Sequence, residues 1–284
     1  MHNIQPRLLI LISHWTLWGH PSSEFAWSPD ECMAAVKAAG FDAICLPPDT
    51  PGIKESLVRH GLEYGGAFNA VTVDQFAPLI QAALKIGGGP INCQLASHDT
   101  PVDHAIELAT ALMEESDKQG AEVHIEIHRN TCTETPEKAS AIAEGVKRAT
   151  GKYPRINFDF SHPAIVKHLE PKDYADRLFA NVPLFQQSTL WHMRPFNGHH
   201  CQVPVTNGKG EFSPEYREIQ PFIRQAFNHW LSGSRPGNAL WVVPELGPCP
   251  GYGLSCFPTV WEDAIALGRD IQCIWREALS ANAG

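Results

Sequence analysis

The feature that most constrains the fold is an alternation of short apolar runs with longer amphipathic stretches, repeated along the 284-residue chain. The short runs are rich in branched residues, as buried strands are, and the longer stretches have the spacing of helices that bury one face. Alternation of this kind predicts a parallel sheet covered by helices. Eight such pairs are present, with strands predicted to begin near Leu8, Asp42, Leu62, Ile91, Val123, Ile156, Thr189 and Leu240.

Eight strand–helix units in a chain of this length predict an α/β fold, the (β/α)8 TIM barrel of ~250 residues. Ser28-Pro29, Thr135-Pro136 and Ser213-Pro214 combine a capping hydroxyl with a proline suited to the first helical position. We expect left-handed glycines to end the first four helices. Since no linker interrupts the pattern, we expect one domain over residues 1–284. The predicted helix-ending glycines are Gly40, Gly61, Gly87-Gly88-Gly89 and Gly120.

Composition excludes several classes of protein. The net charge is -9, with 31 acids against 22 bases and no basic run, so a nucleic-acid partner is disfavoured. The eight cysteines form no Cys-x-x-Cys pair, which predicts reduced thiols and a cytoplasmic location. The apolar run at 8–12 is too short to span a membrane, so no membrane partner is expected.

Four predicted strands end in a side chain of the kind that binds metals. Glu126, Asp159, His192 and Glu245 each stand among apolar residues, in the segments 124–128, 157–162, 190–194 and 242–246. A buried carboxylate is costly unless it is compensated, and a divalent cation can compensate several at once. Three oxygen donors and one imidazole suit one divalent metal ion, Mn²⁺ first, with Mg²⁺, Co²⁺ or Zn²⁺ as alternatives.

The position of these residues agrees with their chemistry. The carboxyl ends of barrel strands form the face where barrel enzymes place catalysis. Long segments at 15–27, 195–211 and 247–257 follow the first, seventh and eighth strands and would build the pocket at that face. The competing interpretation is four unrelated buried polar residues, each satisfied by local hydrogen bonds.

Taken in order, Glu126 with His128, Asp159 with His162, His192 and Glu245 resemble the pattern of the xylose isomerase-like TIM barrel superfamily, of the sugar phosphate isomerase/epimerase type. This superfamily contains sugar epimerases, hydroxypyruvate isomerase, inosose dehydratase and endonuclease IV. The resemblance implies that the two glutamates are both metal ligands and the catalytic acid/base pair, placed on opposite faces of the carbon that loses a proton.

The implied function is a metal-dependent isomerase or epimerase that acts on a small sugar or polyhydroxy carbonyl compound. It would abstract the proton next to the carbonyl through a metal-stabilised enediolate. A small sugar or polyol-type molecule is then the expected substrate. By analogy with such families, the loops around the barrel mouth would form a homodimer or homotetramer.

Several further residues are predicted to bind substrate. His162, three residues after Asp159, contacts a substrate oxygen in the resembling enzymes, and its competing role is to cap the next helix. His128 shares a strand face with Glu126 and is predicted either to line the pocket or to contact a metal ligand from behind. Arg194 would bind a hydroxylate, carboxylate or phosphate, or pair with a neighbouring acid. Trp15 and His200 complete the predicted set, Trp15 as an apolar wall for a sugar ring.

The sequence alone is also compatible with other functions. The run 194–200 replaces the continuation that is usual in the family after the metal histidine, which leaves the substrate class undefined. A lyase or dehydratase of the same superfamily would need an additional acid, such as His162 or His200. A non-catalytic sugar-binding or accessory barrel would be expected to have lost metal ligands. An endonuclease would need three zinc ions and a basic groove, for which no matching residues are seen.

Overall fold

A computed structural model describes residues 5–50, 52–234 and 236–282. Within these residues, eight parallel strands close into one barrel in sequence order, so the predicted single-domain (β/α)8 TIM barrel is confirmed. Every predicted strand start lies within one residue of the observed one. The strands are β1 Arg7–Ser13, β2 Ala43–Leu46, β3 Glu63–Ala70, β4 Ile91–Leu95, β5 Val123–Glu126, β6 Ile156–Asp159, β7 Leu190–Met193 and β8 Ala239–Pro244.

The α-helices cover the outside of this barrel, and short 3-10 helices lie at His14–Leu17, Val73–Gln75 and Pro171–Asp173. Among the described residues, no helix is both long and apolar enough to cross a membrane. The helices are α1 Pro29–Ala39, α2 Ile53–His60, α3 Phe76–Ile86, α4 Val102–Gln119, α5 Pro136–Thr150, α6 Ser161–Val166, α7 Tyr174–Leu178, α8 Val182–Gln187, α9 Pro214–Leu231 and α10 Val260–Ala281.

Helix starts follow the predicted chemistry. The Ser28 hydroxyl accepts from the Glu31 backbone N–H, while the Glu31 carboxylate accepts from that of Ser28, which forms a capping box at α1. Thr135 and Ser213 cap α5 and α9 through a hydroxyl oxygen that accepts from a backbone N–H. These caps satisfy N–H groups that the first helical turn leaves without partners.

Helix ends follow the prediction except at the glycine run after α3. Gly40, Gly61 and Gly120 end their helices in the left-handed conformation. Gly87, in contrast, has φ -169°, so the predicted left-handed position is wrong there. A Cβ on Gly87 would come within 2.8 Å of the Tyr64 Cβ. The glycine is needed for close packing against Tyr64 rather than for its backbone freedom.

The lower part of the barrel is filled by a cluster of buried side chains, here called the plug. A Cβ on Gly65 would lie 2.6 Å from a methyl group of Leu11, so this glycine makes room for the plug. Because the interior is packed as in other barrels of this type, open space lies at the carboxyl end of the strands. The plug consists of Leu11, Ala43, Cys45, Leu190, Trp241 and Val243.

The three long loops at this end are fastened to one another. The Thr16 hydroxyl in the β1 loop donates to the Leu246 carbonyl at 2.7 Å. The Gln202 side chain in the β7 loop donates to the Gly247 carbonyl and accepts from its N–H. These bonds hold the mouth of the barrel in one arrangement around the strand ends.

Candidate metal centre and active site

The structure brings the four predicted metal ligands together at the barrel mouth. Glu126 and Asp159 are the last residues of β5 and β6, His192 lies in β7, and Glu245 directly follows β8. Each offers one ligand atom, and the four atoms lie within 4.8 Å of one another. Glu126, Asp159 and His192 are buried, while the Glu245 side chain is 14% exposed. Four consecutive strands thus converge on one point.

The contacts of His192 have the spacing expected around a cation. Its Nδ1 atom lies 3.0 Å from Glu126 Oε1 and 3.0 Å from Glu245 Oε2. Neither His192 nitrogen nor Glu126 Oε1 has a hydrogen-bond partner among the described residues. Two ligands bound at right angles, each at about 2.1 Å from an ion, lie about 3 Å apart. Close approach without hydrogen-bond geometry therefore fits a shared divalent cation.

Arg194 is enclosed by the same cluster. Its Nη2 donates to Asp159 Oδ2 at 2.6 Å and also to Glu245 Oε2, and its side chain is only 1% exposed. Its Nε and Nη1 atoms find no partner among the described residues. The guanidinium therefore pairs with two ligand carboxylates, as one sequence interpretation expected, and keeps further donors.

Neighbouring charges set the protonation of the centre. Burial alone would raise the pKa of Glu126, but the imidazoles of His192, His128 and His162 outweigh it and hold that pKa well below its usual range. Burial would lower the pKa of His192, yet Glu245 and Glu126 raise it to about 10. Glu126 is therefore ionised at neutral pH, the form in which a carboxylate binds a metal, whereas His192 would lose a ring proton when a metal binds.

A second layer of amides orients Glu126. Asn92 of β4 donates from Nδ2 to Glu126 Oε2 at 2.7 Å, and Asn157 of β6 donates to Asn92 Oδ1 at 2.9 Å. The Thr133 hydroxyl donates to the Glu126 backbone carbonyl. With one oxygen held by Asn92, the other is directed at His192. Such outer contacts fix the orientation of a metal ligand.

His162 and His128 lie beside this centre. His162 is buried in the first turn of α6, with Nε2 3.5 Å from Asp159 Oδ2 and Nδ1 3.2 Å from Cys201 Sγ. Burial lowers the pKa of His162 well below its usual value, and Asp159 does not reverse this. His128 is half-buried and stands against His162, with ring centroids 3.7 Å apart. Both histidines that were predicted to bind substrate thus lie beside the predicted metal ligands.

A cavity of about 320 Å³ opens above the predicted metal ligands. Trp15 lies on its wall, packed edge-on against Tyr252 at 5.2 Å. Tyr252 in turn stacks under the guanidinium of Arg194, 5.0 Å from its ring centre. Most of the remaining cavity wall is neutral, and much of it is aromatic. It includes Trp15, Trp18, Phe68, Asn69, Gln94 and Tyr252.

The structure does not bring His200 to the metal ligands. This exposed residue lines an adjoining cavity of about 190 Å³ and hydrogen-bonds through its ring to Asn197. Tyr252 lines both cavities and separates them. His200 therefore stays a predicted contact only for a substrate that extends past Tyr252.

Three contributors to the site were not found from the sequence. Asn92 is a lone amide in the apolar strand β4, so the signal that identified the metal ligands was present there too. Tyr252 and Cys201 lie in loops, where no spacing rule indicates which side chains turn inward. Their contacts depend on how separate loops meet at the barrel mouth.

Comparisons with known proteins identify the type of fold. No family model and no curated protein matches the sequence. Among solved structures, D-allulose 3-epimerase from Methylomonas sp., in complex with D-allulose, is 14% identical with a TM-score of 0.60. The match covers 97% of this chain and 98% of that chain.

Two further solved structures match over a similar length. A xylose isomerase-like TIM barrel protein from Mycobacterium smegmatis, in complex with magnesium, is 15% identical with a TM-score of 0.58, covering 98% of both chains. A probable 3-DHS dehydratase from Bacillus anthracis is 14% identical with a TM-score of 0.56, covering 95% of this chain and 99% of that chain. The chain therefore has the xylose isomerase-like TIM barrel fold.

Proposed function

We propose that this protein is a divalent-metal-dependent isomerase or epimerase of a small sugar or polyhydroxy carbonyl compound. The observation that supports this most is the cluster of Glu126, Asp159, His192 and Glu245 at four consecutive strand ends, with ligand atoms within 4.8 Å of one another. The chain also shares its fold with a D-allulose 3-epimerase. A non-catalytic accessory barrel would have no need to keep this ligand set.

The charges of the centre support one divalent ion. With His192 neutral, the form in which an imidazole binds a metal, three carboxylates and the Arg194 guanidinium leave two negative charges in a buried space, and one divalent cation would neutralise them. When bound, the ion would supply electrostatic stabilisation of the negative charge that develops on the substrate oxygens. We keep Mn²⁺ as the first choice for this donor set, with Mg²⁺, Co²⁺ and Zn²⁺ as alternatives.

Glu126 and Glu245 are proposed as the catalytic acid and base. Each places one oxygen 3.0 Å from the same His192 nitrogen, so they flank one point of the cavity floor. One of them would remove the proton next to the carbonyl to form an enediolate, and the other would return a proton to the opposite face. Return to the same carbon inverts it, whereas return to its neighbour isomerises the compound.

The cavity wall indicates what the substrate is like. Asn69 and Gln94 offer amides that both donate and accept, as hydroxyl groups require. Trp15 offers an aromatic edge beside them, and His128, His162 and Arg194 offer polar atoms near the metal ligands. A volume of about 320 Å³ suits a small molecule. A small sugar or polyol therefore matches the site best.

We also propose a cellular location and an assembly state. The eight cysteines are free, which agrees with a reducing cytoplasmic location. Large apolar residues are exposed on the mouth loops, namely Trp18 at 61%, Phe25 at 75% and Leu254 at 49%. Burial of these residues against a second copy would give a homodimer or homotetramer, which light scattering after gel filtration would detect.

Deuterium exchange tests the proposed reaction. The Mn²⁺-loaded protein is incubated in D₂O with ketoses, aldoses, hydroxypyruvate and inososes, and products are analysed by NMR. We expect deuterium at the carbon beside the carbonyl of at least one compound, and no exchange with Glu126→Gln or Glu245→Gln. Absence of exchange across the panel, with metal bound, would instead favour an accessory barrel.

A dehydratase is the second candidate, and His162 is the observation that favours it. The unpartnered Nε2 of this buried, neutral imidazole lies 3.5 Å from Asp159 Oδ2, where the ring would accept the proton abstracted from the substrate and return it to a leaving hydroxyl. A probable dehydratase also shares this fold. Mass spectrometry of the same incubations would distinguish the two, since a dehydratase product is lighter by one water.

A further inference from the structure

A second group of possible metal ligands overlaps the first. Glu126, His128 and His162 each offer one ligand atom, and these three atoms lie within 4.8 Å of one another. Glu126 belongs to both groups, whereas the two histidines are absent from the first. Glu126 and His162 are buried, and His128 lines the cavity of about 320 Å³ at the barrel mouth. The group is therefore enclosed on one side and reachable from the cavity on the other.

The hydrogen bond of His128 defines its tautomer. Its Nδ1 atom faces the backbone carbonyl oxygen of Arg129. A carbonyl can only accept, so Nδ1 carries the hydrogen and donates it. The Nε2 atom of a neutral ring then has a free lone pair. A backbone carbonyl on one nitrogen is the usual support for a histidine that binds metal through the other.

Donors and acceptors around His162 lead to the same tautomer. The Ser161 hydroxyl donates its one hydrogen to Asp159 Oδ1 at 2.6 Å. The Cys201 thiol, 3.1 Å from that hydroxyl, must then donate to it. His162 Nδ1, 3.2 Å from the same sulfur, must therefore donate to the sulfur. The hydrogen of His162 is thus on Nδ1, and its Nε2 has a free lone pair.

Two of the three possible ligand atoms accept no hydrogen bond from the described residues. His162 Nε2 and Glu126 Oε1 are buried without a hydrogen-bond partner among the described residues. The two imidazole rings nevertheless approach to 3.7 Å between centroids. Lone pairs that converge on one another repel, and an electropositive group that all three atoms bind removes that cost. Two neutral imidazoles and one carboxylate are the ligand set of an open zinc site.

We propose that a second divalent cation, of the Zn²⁺ or Co²⁺ type, binds between Glu126, His128 and His162, with Glu126 shared between the two metal sites. The two sites differ in chemistry, since the first has three oxygens and one nitrogen and the second has two nitrogens and one oxygen. One divalent ion already neutralises the first site. The second ion adds positive charge and binds more weakly, so the two sites fill in sequence.

Equilibrium dialysis against Co²⁺ tests this inference without reference to activity. Wild-type protein is expected to bind two Co²⁺ per chain at saturation, and His128→Gln and His162→Gln one each. His104→Gln is the matched control, because His104 is exposed on α4 and should leave two sites. If His162→Gln loses its folded circular dichroism spectrum, His128→Gln at the cavity wall decides the result.

The carboxylate shared by the two sites gives a second measurement. Two Co²⁺ ions joined through Glu126 are expected to be magnetically coupled, and the coupling should disappear in His128→Gln. One Co²⁺ in the wild type, retained by His128→Gln but lost by Asp159→Asn, would overturn the second site and leave the proposed function intact. No bound Co²⁺ in the wild type would overturn both. Two Co²⁺ retained by both histidine variants would overturn the assignment of ligands.

Discussion

The two halves of the barrel mouth differ sharply in charge. Strands β5 to β8 end in three carboxylates, an imidazole and a buried guanidinium that contact one another. Strands β1 to β4 present neutral groups to the same cavity, and burial keeps the titratable residues His14 and Cys45 uncharged, because it lowers the pKa of His14 and raises that of Cys45. The neutral groups include Ser13, Pro47, Phe68, Asn69 and Gln94.

This difference in charge predicts different roles for the two halves of the cavity. Buried charges are stable only where they compensate one another, so metal ligands and acid/base groups must be clustered. A neutral wall can bind hydroxyl groups without shifting the protonation of that cluster. The comparison therefore predicts that changes in the charged half affect metal binding and turnover, and that changes in the neutral half affect substrate binding.

The largest effect is expected from Glu245→Gln. This change removes one charge from the proposed metal centre at nearly constant volume, and it removes a proposed acid/base group, of the kind that contributes about 10²–10⁴-fold. Turnover of the substrate identified by deuterium exchange should fall by at least this factor, while the circular dichroism spectrum is retained. Glu262→Gln, an exposed glutamate on α10, is the control. Wild-type rates in Glu245→Gln would exclude this residue as acid or base.

Arg194→Gln should give the next largest effect, on stability. The change leaves Asp159 and Glu245 without their buried partner, which costs about 3–5 kcal/mol of unfolding free energy in the metal-free protein. Urea unfolding with EDTA measures this loss, and added Mn²⁺ should restore part of it. Arg224→Gln breaks an exposed pair with Glu277 and should cost about 1 kcal/mol at most. Equal losses in the two variants would contradict the account of the buried centre.

Gln94→Ala probes the neutral half and should have a moderate effect. Loss of an amide that bonds a substrate hydroxyl costs about 0.5–1.5 kcal/mol, which corresponds to about a 2- to 10-fold increase in KM. Metal content and kcat should stay close to the wild-type values. A loss of bound metal in this variant would break the proposed division between the two halves.

The smallest effect is expected from a charge outside the mouth. Partial burial would raise the pKa of Glu137, but its own backbone amide, Arg177 and Lys167 lower it to about 2. Because the folded pKa is depressed, this stabilisation is present above the usual value of 4.5 and is lost as the pH falls toward 2. Solvent screening limits it to about 1 kcal/mol.

Glu137→Gln should therefore flatten the acid side of the stability–pH curve slightly and leave turnover unchanged. Urea unfolding at several pH values below 5 measures the change. If Glu137→Gln reduced turnover as Glu245→Gln does, any charge in this half of the barrel would affect turnover regardless of its position. The buried cluster at the barrel mouth would then not be a distinct catalytic centre.

Much of the fold was predictable because its signals are local. Short apolar runs predicted the strands, and capping residues such as Ser28 and Thr135 predicted where helices begin. A lone acid or imidazole in an apolar strand located Glu126, Asp159 and His192. Parallel strands in a barrel bring such positions together, so no knowledge of individual contacts was needed.

The rest depends on contacts between distant segments. The pairing of Arg194 with Asp159 and Glu245, and the chain of hydrogen bonds from His162 through Cys201 to Ser161, connect different loops and strands. No local pattern contains this information. The extended conformation of Gly87 likewise follows from its packing against Tyr64, which only the folded barrel reveals.

Anomalous diffraction from crystals grown with Mn²⁺ tests the central claim most directly. We predict a strong peak at the barrel mouth, within about 2.0–2.3 Å of one atom each of Glu126, Asp159, His192 and Glu245. A Mn²⁺ peak elsewhere on the protein, with these four side chains bound only to one another and to Arg194, would contradict it.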